Sequence, residues 1–575
     1  MIKIFKKFYS ILDSKQKNKL FLLIFLALIA AILEMIGLGL LVPIIASLNN
    51  PDLSAVSWIN KNLDELLFNF LRFNENKIFF LLMLFGIFFL LKTLYLTYFA
   101  KITSKFSSNL YSNISAKIFN NYLYQDYSFY IRRSSSQLIQ NATNEVDNLV
   151  NVFFVSFMIF INEVLVLFAI GLILIFISPI SFFSLIALFS TFSFIFIFLI
   201  KKFLKKLGYQ RQDHQISSIK YIQDGIINIK DLKVYGIENK FYNYFFYEAK
   251  KYSEIEQNVN FLSAIPKYFI EFTGILVFVC VFQLFTILNF SSDDIIIIIG
   301  ILAASALKIL PSINRIMNSS IKIKYSFPSV NTIYKEIKII KKINTNRGTQ
   351  KITIKNKIFL KNLSFKYNAS DNYLFDKINI RIPLGKIIGL VGESGSGKTT
   401  LVDLILGLLK PTKGRIMLND IDIFKNIRSW QDNIGYVQQF SYFIQDSIKN
   451  NIILGSKTNH IDNNRINECL KIVGLKKIIE RLPKKIETHI SELGSNFSGG
   501  QKQRLSIARA LYINPKILVL DEATNSLDEN SENLIIKNII ATQKNRSIII
   551  VTHKKKLTKY CDIVLEVNSQ KIKKR

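Results

Sequence analysis

The sequence predicts a helical membrane domain with six spans, followed by an α/β domain that carries a phosphate-binding loop. Two observations lead to this prediction. The chain has 575 residues, of which 50% are hydrophobic, and its mean hydropathy is +0.27, so at least one domain is expected to lie in a membrane. The long apolar segments end near residue 310, and a glycine-rich motif follows at 392–399.

The six spans are predicted from the length of their apolar segments. A helix needs about 20 apolar residues to cross a bilayer core. Six segments meet this requirement: 21–47, 78–99, 152–177, 180–200, 268–289 and 294–310. We therefore expect a transmembrane domain over 1–330 with long cytoplasmic helical extensions, a linker over 331–350 and an ATP-binding domain over 351–575.

The basic residues predict the orientation of the spans. Segments 1–20, 100–150, 201–264 and 311–350 contain 30 Lys and Arg residues, whereas the intervening loops 48–77, 178–179 and 290–293 contain three. Because cytoplasmic loops carry the excess of positive charge, we expect both termini in the cytoplasm. The net charge of +33 follows this topology rather than one face, so nucleic-acid binding is not expected.

Three loops have predicted structure of their own. The loops 100–150 and 201–264 are interpreted as membrane helices that continue into the cytosol, with turns near Asp126–Arg132 and Gln223–Ile229. In the external loop, SWINKNLDELLFNFL (57–71) has apolar residues at helical spacing. This indicates an amphipathic helix, either on the outer membrane surface or packed on top of the helix bundle.

The motif KIIGLVGESGSGKTT (386–400) predicts an ATP site. An apolar strand leads into a glycine-rich turn whose backbone N–H groups can surround a phosphate, and a helix follows. Lys398 adds a positive charge, and Thr399 offers a hydroxyl to Mg²⁺. The predicted nucleotide-binding residues of this motif are Gly392, Glu393, Ser394, Gly395, Ser396, Gly397, Lys398, Thr399 and Thr400.

Two downstream segments complete the predicted site. KILVLDEATNSLD (516–528) is an apolar strand that ends in Asp521, a candidate Mg²⁺ ligand, and Glu522, a candidate general base for water. FSGGQKQRLSIARAL (497–511) opens a helix at Ser498, Gly499, Gly500 and Gln501. Since a helix N-terminus presents bare backbone donors, these residues form a predicted anion site.

With these motifs in place, the chain resembles an ABC exporter half-transporter from about residue 15 to its end. The resemblance implies that Tyr367 stacks on adenine, that Gln439 contacts Mg²⁺ and senses the membrane domain, and that His553 contacts the γ-phosphate. Asp528 corresponds to the D-loop. Departures from the family pattern are Phe497, Gln438, Leu493, Lys554 and the pair Asn525-Ser526 in place of Ser-Ala.

The resemblance also implies a homodimer. In this family the signature residues of one subunit act on ATP held by the phosphate-binding loop of the other, and one chain supplies one of each. The two cytoplasmic turns then become coupling helices that dock on the nucleotide-binding domains. The expected cofactors are ATP and Mg²⁺.

A narrower resemblance concerns the cargo. ILEMIGLGLLVP, YSFYIRRSSSQLIQNATNEV, IQDGIINIKDLKVYG, AIPKYFIE and ALKILPSINRI are similar to the lipid-linked oligosaccharide flippases of bacterial protein N-glycosylation. This implies export of a polyprenyl-pyrophosphate-linked glycan across the cytoplasmic (inner) membrane of a bacterium. Two alternatives stay open: a multidrug or lipid exporter of the same fold, and a nucleotide-sensing regulatory subunit without transport, which the intact Glu522 and His553 disfavour.

Four charged residues are candidates for the cargo site. At about 1.5 Å per residue, Lys92, Lys308 and Arg315 lie near the cytoplasmic end of their spans, where they could receive a pyrophosphate or extend to the interface. Glu34 lies roughly 10 Å higher by the same count. An ion pair between Glu34 and either lysine is therefore not expected, and we predict that Glu34 faces the cavity, hydrated or protonated, or bonds to a neighbouring helix.

Overall fold

A computed structural model of the chain describes residues 2–40, 77–177, 179–287, 292–340, 357–367, 372–418, 420–456, 460–491, 496–542, 546–568 and 571–574. For most residues of 173–194 and 277–305 it describes the backbone alone. The chain divides into two compact units. The first contains Met1–Gln125 and Arg132–Ile343, and the second contains Asp126–Ile131 and Asn344–Arg575.

The described part of the first unit is helical throughout. The helices up to residue 340 are Ile2–Ile11 (α1), Ser14–Gly39 (α2), Lys77–Leu123 (α3), Tyr127–Ile131 (α4), Ser135–Ala142 (α5), Asn144–Asp147 (α6), Val155–Ile177 (α7), Pro179–Ile227 (α8), Ile229–Tyr235 (α9), Glu238–Ile287 (α10), Ser292–Tyr325 (α11) and Phe327–Ile340 (α12). Of these, the short α4 belongs to the second unit. A π-helical segment, Asn148–Phe154, joins α6 to α7.

The longest helices exceed the thickness of a bilayer. α3, α8 and α10 have 47, 49 and 50 residues, so each is about 70 Å long, whereas a bilayer core is about 30 Å thick. The lengths agree with the predicted cytoplasmic extensions. The first predicted turn is confirmed as the short helix α4.

The second predicted turn, near Gln223–Ile229, is confirmed. α8 ends at Ile227, and the chain turns around Asn228 before α9, which ends at Gly236 with φ +61°. The predicted end of the transmembrane domain differs from the structure: α12 extends to Ile340, so the boundary predicted at residue 330 falls inside a helix of the first unit.

Three helices of the described chain are long and apolar enough to cross a membrane: Ser14–Gly37, Leu82–Leu123 and Ser135–Leu172. In the remaining predicted spans, 180–200, 268–289 and 294–310, many residues are described by their backbone alone, so the count of six stays a prediction. The predicted external helix at 57–71 lies outside the described residues.

A buried ion pair links three parts of the first unit. The Arg211 guanidinium of α8 lies 3.1 Å from both carboxylate oxygens of Glu145 in α6, and each side chain is 1% exposed. Arg211 also donates to the Ser329 hydroxyl of α12 at 2.8 Å, and the Gln140 amide of α5 donates to Glu145 at 3.1 Å. These bonds fix the packing of α6, α8 and α12, because each charge depends on the other for compensation.

The described residues of the second unit form two sheets. The strands are Lys357–Phe365 (β1), Phe375–Pro383 (β2), Ile387–Val391 (β3), Lys413–Leu418 (β4), Ile421–Asp422 (β5), Ile434–Val437 (β6), Ile517–Asp521 (β7), Ser547–Val551 (β8), Ile563–Asn568 (β9) and Lys571–Lys574 (β10). An antiparallel sheet has the order β2-β1-β4-β5, and a mixed sheet has the order β10-β9-β3-β8-β7-β6.

Helices accompany these strands. They are Lys398–Ile405 (α13), Ile427–Gln431 (α14), Ile448–Ile453 (α15), Asn463–Ile472 (α16), Lys476–Glu480 (α17), Gly499–Tyr512 (α18) and Glu529–Ala541 (α19). Strands β7 and β8 are buried at every residue, which is typical of parallel strands covered on both faces. One core lies between the two sheets and α13, and the other between the mixed sheet, α18 and α19.

The buried pair of the first unit generates a stability prediction. Glu145→Ala leaves the Arg211 charge buried without its partner, so the free energy of unfolding should fall by about 3–5 kcal/mol. The double variant Glu145→Leu, Arg211→Met should recover most of this loss. Chemical denaturation in mixed micelles measures both. Lys233→Ala, which removes an exposed pair with Glu238, is the control, and an equal loss in the control would contradict the prediction.

Candidate functional site

The glycine-rich loop connects β3 to α13, as the motif predicts. A Cβ on Gly392 would lie 2.3 Å from the carbonyl oxygen of Val567, so no larger residue fits there. Gly397 forms the N-cap of α13 with φ +98°, and a Cβ there would lie 2.9 Å from the Phe375 ring. Both glycines are therefore required by the close approach of other chain segments.

Lys398 and Ser396 bring polar groups into this loop. Lys398 Nζ donates to the carbonyl oxygens of Gly392 at 3.1 Å and Glu393 at 2.7 Å. Burial lowers the pKa of Lys398, although the charges of Glu522 and Asp521 oppose this effect. The Ser396 hydroxyl is buried without a hydrogen-bond partner among the described residues. These donors suit a phosphate group, which would accept from each of them.

Asp521 at the end of β7 has the character of a cation ligand. The Asp521 carboxylate is buried. Burial raises the pKa of Asp521, and the charge of Glu522 adds a smaller contribution in the same direction. The Tyr436 hydroxyl of β6 donates to it at 3.3 Å. Thr399 is exposed in the first turn of α13. A buried carboxylate and a free hydroxyl are oxygen ligands of the kind that Mg²⁺ prefers.

Glu522 is the centre of a hydrogen-bonded cluster. Its Oε2 accepts from the Gln439 amide at 2.8 Å and from the Asn525 amide at 2.8 Å, and its Oε1 lies 3.0 Å from His553 Nε2. The structure therefore joins three predicted catalytic residues. Sequence reasoning missed Asn525 as a member of the cluster, although it had marked this position as a departure from the family pattern.

Tyr367 lies beside the phosphate-binding loop. Its hydroxyl is 2.9 Å from the Thr400 hydroxyl of α13, and its ring packs edge-on against Phe365 at 5.0 Å. The ring is partly exposed. The stacking of this ring on adenine stays a prediction.

The signature residues form the start of α18. The Ser498 hydroxyl accepts from the Gln501 backbone N–H at 3.2 Å, and the Gln501 side chain accepts from the Ser498 N–H at 2.9 Å. This reciprocal pair is a capping box. In the described chain, none of these bonds runs to residues 392–399, so the predicted action on a partner's ATP stays a prediction.

Asp528 has a visible structural role. It caps α19, since its carboxylate accepts from the Ser531 N–H at 3.0 Å, and this bond lowers the pKa of Asp528. The D-loop role that the resemblance implies is a separate prediction.

The expectation that Glu34 pairs with neither lysine was wrong. Glu34 Oε2 lies 2.7 Å from Lys92 Nζ and 3.2 Å from Lys308 Nζ. Lys92 is 4% exposed, so its side chain does not extend to an interface. The depth count assumed upright spans measured from opposite membrane faces. Membrane helices are tilted by about 20° on average, and tilt changes the depth at which a residue lies. Because an unpaired charge in a membrane is costly, the long lysine side chains extend toward Glu34.

Arg315 has its own acidic partner. Its guanidinium lies 3.0 Å from Glu163 Oε1 of α7. Arg315 follows Lys308 by seven residues, so both lie on one face of α11. Their side chains are 57% and 40% exposed. Gly37 lies close to α3, since a Cβ on it would lie 3.3 Å from Phe88. A Cβ on Gly39 would meet no atom of the described residues within 4 Å.

The chain was compared with known protein families. Residues 20–304 match the family described as ABC transporter transmembrane region, and residues 375–525 match the family described as ABC transporter. This chain belongs to the ABC transporter family. Its two matched regions are a transmembrane region and an ATP-binding domain on one polypeptide, which is the organisation of a half-transporter.

Two curated relatives of this ABC transporter are named after different cargoes. The alpha-hemolysin translocation ATP-binding protein HlyB of Escherichia coli O157:H7 is 36% identical over 217 residues, which are 38% of this chain and 30% of the relative. A Staphylococcus aureus protein, provisionally named a multidrug export ATP-binding/permease protein, is 36% identical over 229 residues, 40% of this chain and 39% of the relative. The aligned regions span well under half of each relative.

A solved structure shares the fold of this ABC transporter over nearly its whole length. It is a bacterial Atm1-family ABC exporter with ATP bound, with a TM-score of 0.79. The match covers 98% of this chain and 96% of that chain at 17% sequence identity. The fold is therefore that of an ABC exporter.

Asp403 on α13 generates a pH-dependent prediction. Burial, and to a lesser degree the charge of Asp521, raises the pKa of Asp403 from 3.8 to about 6. The folded domain therefore holds this proton more tightly than the unfolded chain does. The cost of the buried charge appears as the pH rises above about 4 and is complete above about 6.

Asp403→Asn should therefore raise the unfolding temperature more at pH 7.5 than at pH 5. The chain has two tryptophans, so in a Trp58→Phe background the fluorescence of buried Trp430 reports on this domain. Asp420→Asn is the control, because Asp420 is exposed and has φ +67°, which asparagine also adopts. Equal stabilisation at both pH values would refute the assignment.

Proposed function

We propose that this chain is one half of an ATP-driven exporter that works as a homodimer and hydrolyses ATP in its second unit. The observation that carries the proposal is the cluster around Glu522. The strands β3, β7 and β8 lead into the glycine-rich loop, Glu522 and His553, and parallel pairing aligns their ends. The proposed base, the side chains that contact it and the phosphate-binding loop therefore lie at the same edge of the sheet.

Each residue of this edge has a proposed task. Lys398, the Ser396 hydroxyl and the loop N–H groups bind the phosphates. Glu522 takes a proton from the attacking water, and Gln439 and His553 turn from Glu522 toward the nucleotide. Thr399, Gln439 and Asp521 would hold Mg²⁺, which supplies charge neutralisation of the phosphates when it is bound with ATP.

The remaining site residues are proposed to act as the family resemblance implies. Tyr367 stacks on adenine, the loop residues 392–400 bind the phosphates, and Asp528 belongs to the dimer contact. Ser498, Gly499, Gly500 and Gln501 bind the ATP of the second subunit.

Exposed apolar residues on α9 support the homodimer. Val234 is 80% exposed and Tyr235 72% exposed, and Ile229 at the helix start is also exposed. Neighbouring large apolar side chains exposed in this way are typical of a protein–protein contact. We propose that α9 docks on the nucleotide-binding domain of the second subunit. The first coupling segment, 126–131, already clusters with its own ATP-binding unit.

Replacement of the base tests the ATPase proposal. Glu522→Gln keeps the shape of the side chain but cannot accept the proton, so ATP and Mg²⁺ should bind while hydrolysis falls by several orders of magnitude, as expected when an acid–base group is lost. The bound nucleotide should trap a closed dimer that size-exclusion chromatography detects. Lys398→Ala is the contrasting variant, because it should weaken nucleotide binding itself.

Near-normal turnover in Glu522→Gln would exclude the role as general base. Absence of nucleotide binding in the wild-type protein would overturn the proposed function as a whole, including the alternative of a nucleotide-sensing subunit.

For the cargo, we propose a lipid-linked anion, specifically a polyprenyl-pyrophosphate-linked oligosaccharide. Support comes from the charges in the membrane part of the first unit. Lys92 and Lys308 share one acid, Glu34, so this group keeps an excess positive charge. Lys308 and Arg315 are the exposed members, whereas Lys92 is enclosed. A diphosphate could bind at the exposed cations while Glu34 compensates Lys92.

The exposed cations provide the test of the cargo. The double variant Lys308→Gln, Arg315→Gln should lose stimulation of ATPase activity by lipid-linked glycans in nanodiscs, because two of the charges that attract the diphosphate are gone. Nucleotide binding by the same variant reports that the fold is intact. Lys251→Gln on α10, where the lysine is 41% exposed and pairs with Glu254, is the control for the loss of a cation.

The panel should include uncharged drugs and neutral lipids. Stimulation by those compounds, with none by lipid-linked glycans, would favour the multidrug or lipid exporter. Equal glycan stimulation in the double variant and the wild type would reject the cargo site.

A further inference from the structure

Asn525 binds the carboxylate that the proposed mechanism uses as its base. Its side-chain amide donates to Glu522 Oε2 at 2.8 Å. The Gln439 amide donates to the same oxygen at 2.8 Å, whereas His553 lies against the other oxygen, Oε1, at 3.0 Å. Oε2 thus has two amide donors, and one of them lies only three residues along the chain from Glu522.

The backbone holds Asn525 in this position. Glu522 has φ +50°, a conformation that few residues other than glycine adopt. The Asn525 N–H donates to the Glu522 carbonyl at 3.2 Å, which closes a turn directly after β7. The next residue, Ser526, donates its N–H to the Gln503 side chain of α18 at 2.9 Å. Asn525 therefore belongs to a turn that is fixed to both the sheet and the signature helix.

The three residues that contact the Glu522 carboxylate, Gln439, Asn525 and His553, differ in their other proposed roles. Under the proposed function, Gln439 turns to the Mg²⁺ site and His553 turns to the γ-phosphate. Asn525 has neither task, and its turn holds it next to Glu522. It is the donor that can stay on Oε2 while the other two leave.

We infer that Asn525 is a positioning residue for the general base. It holds Oε2 of Glu522 throughout turnover, so that Oε1, once released by His553, faces the water. This inference rests on the proposed ATPase function. An amide suits the task because it donates a hydrogen bond and carries no charge, and the carboxylate therefore keeps its full negative charge as a base.

Three substitutions separate hydrogen bonding from shape. Asn525→Ala removes the donor, so kcat should fall about tenfold to a hundredfold, as for other hydrogen bonds to a charged group. Asn525→Ser keeps a shorter donor and should retain more activity than alanine does. Asn525→Asp keeps the shape but replaces the donor with a second negative charge, so it should be the least active. The KM for MgATP should change less than about twofold in all three, because Asn525 contacts the base and not the nucleotide.

The experiment measures steady-state kinetics and equilibrium ATP binding on the full-length protein in nanodiscs. Asn530→Ala is the matched control, since Asn530 is exposed in the first turn of α19 and should leave kcat unchanged. A kcat order of Ser above Ala above Asp supports the inference. If aspartate, which has the same size as asparagine, is as active as wild type, or if KM rises while kcat does not change, Asn525 does not position the base. If the wild-type protein binds ATP without hydrolysing it, the proposed function fails and this inference fails with it. If the wild-type protein hydrolyses ATP but the variants do not behave as stated, only this inference fails.

Discussion

Parallel pairing of β3, β8 and β7 sets the level at which three segments leave the mixed sheet. Leu390 pairs with Val551, and Val551 pairs with Asp521, so the glycine-rich loop, Glu522 and His553 all begin within one or two residues of the same edge. Two further bonds fix this level: the Glu522 N–H donates to the Val551 carbonyl and the Thr552 N–H to the Leu390 carbonyl, both at 3.1 Å. Since a register shift of one residue would turn each side chain to the opposite face, the ATP site depends on this pairing.

Buried charges in the first unit serve two different purposes. Glu145 and Arg211 are enclosed and matched one to one, and they lie among helices where α6, α8 and α12 meet. Such a pair contributes little net stability, but it selects the packing in which both charges are compensated. The group of Glu34, Lys92 and Lys308 is unmatched, with two cations for one acid. An ion pair that only stabilised the packing, as Glu145 and Arg211 do, would need one cation for Glu34 and not two.

Much of the ATP site could be predicted from the sequence because its contacts follow from local spacing. The strand, turn and helix at 386–400 are one continuous segment, and the capping box at Ser498 and Gln501 spans three residues. Contacts between distant segments could not be predicted in this way. Lys308 and Glu34 are 274 positions apart, and a counted depth difference of roughly 10 Å argued against their pairing. The Tyr436–Asp521 bond, across 85 positions, has no sequence signal either. Asn525 is the intermediate case: its position was marked, but only the turn geometry shows where its amide is directed.

Under the proposed function, the charge balance around Glu34 restricts the chemistry of the cargo more than the ATP site does. The glycine-rich loop and the Glu522 cluster would serve a transporter of any substrate equally well, and the curated relatives indeed carry the names of a toxin translocator and a drug exporter. Under the proposed function the cargo passes the membrane charges, so these charges act on the cargo directly. An uncompensated cation among membrane helices is costly, so the second lysine requires either water or an anion beside it. Lys308 is the more exposed of the two lysines, and Arg315 lies two turns further along the same face, near Glu163. An anion that reaches Lys308 can exchange with Glu34 without leaving Lys92 unpaired, because Lys92 keeps the closer contact to Glu34. A cargo without negative charge would gain nothing from this arrangement, and a cation would be repelled by it.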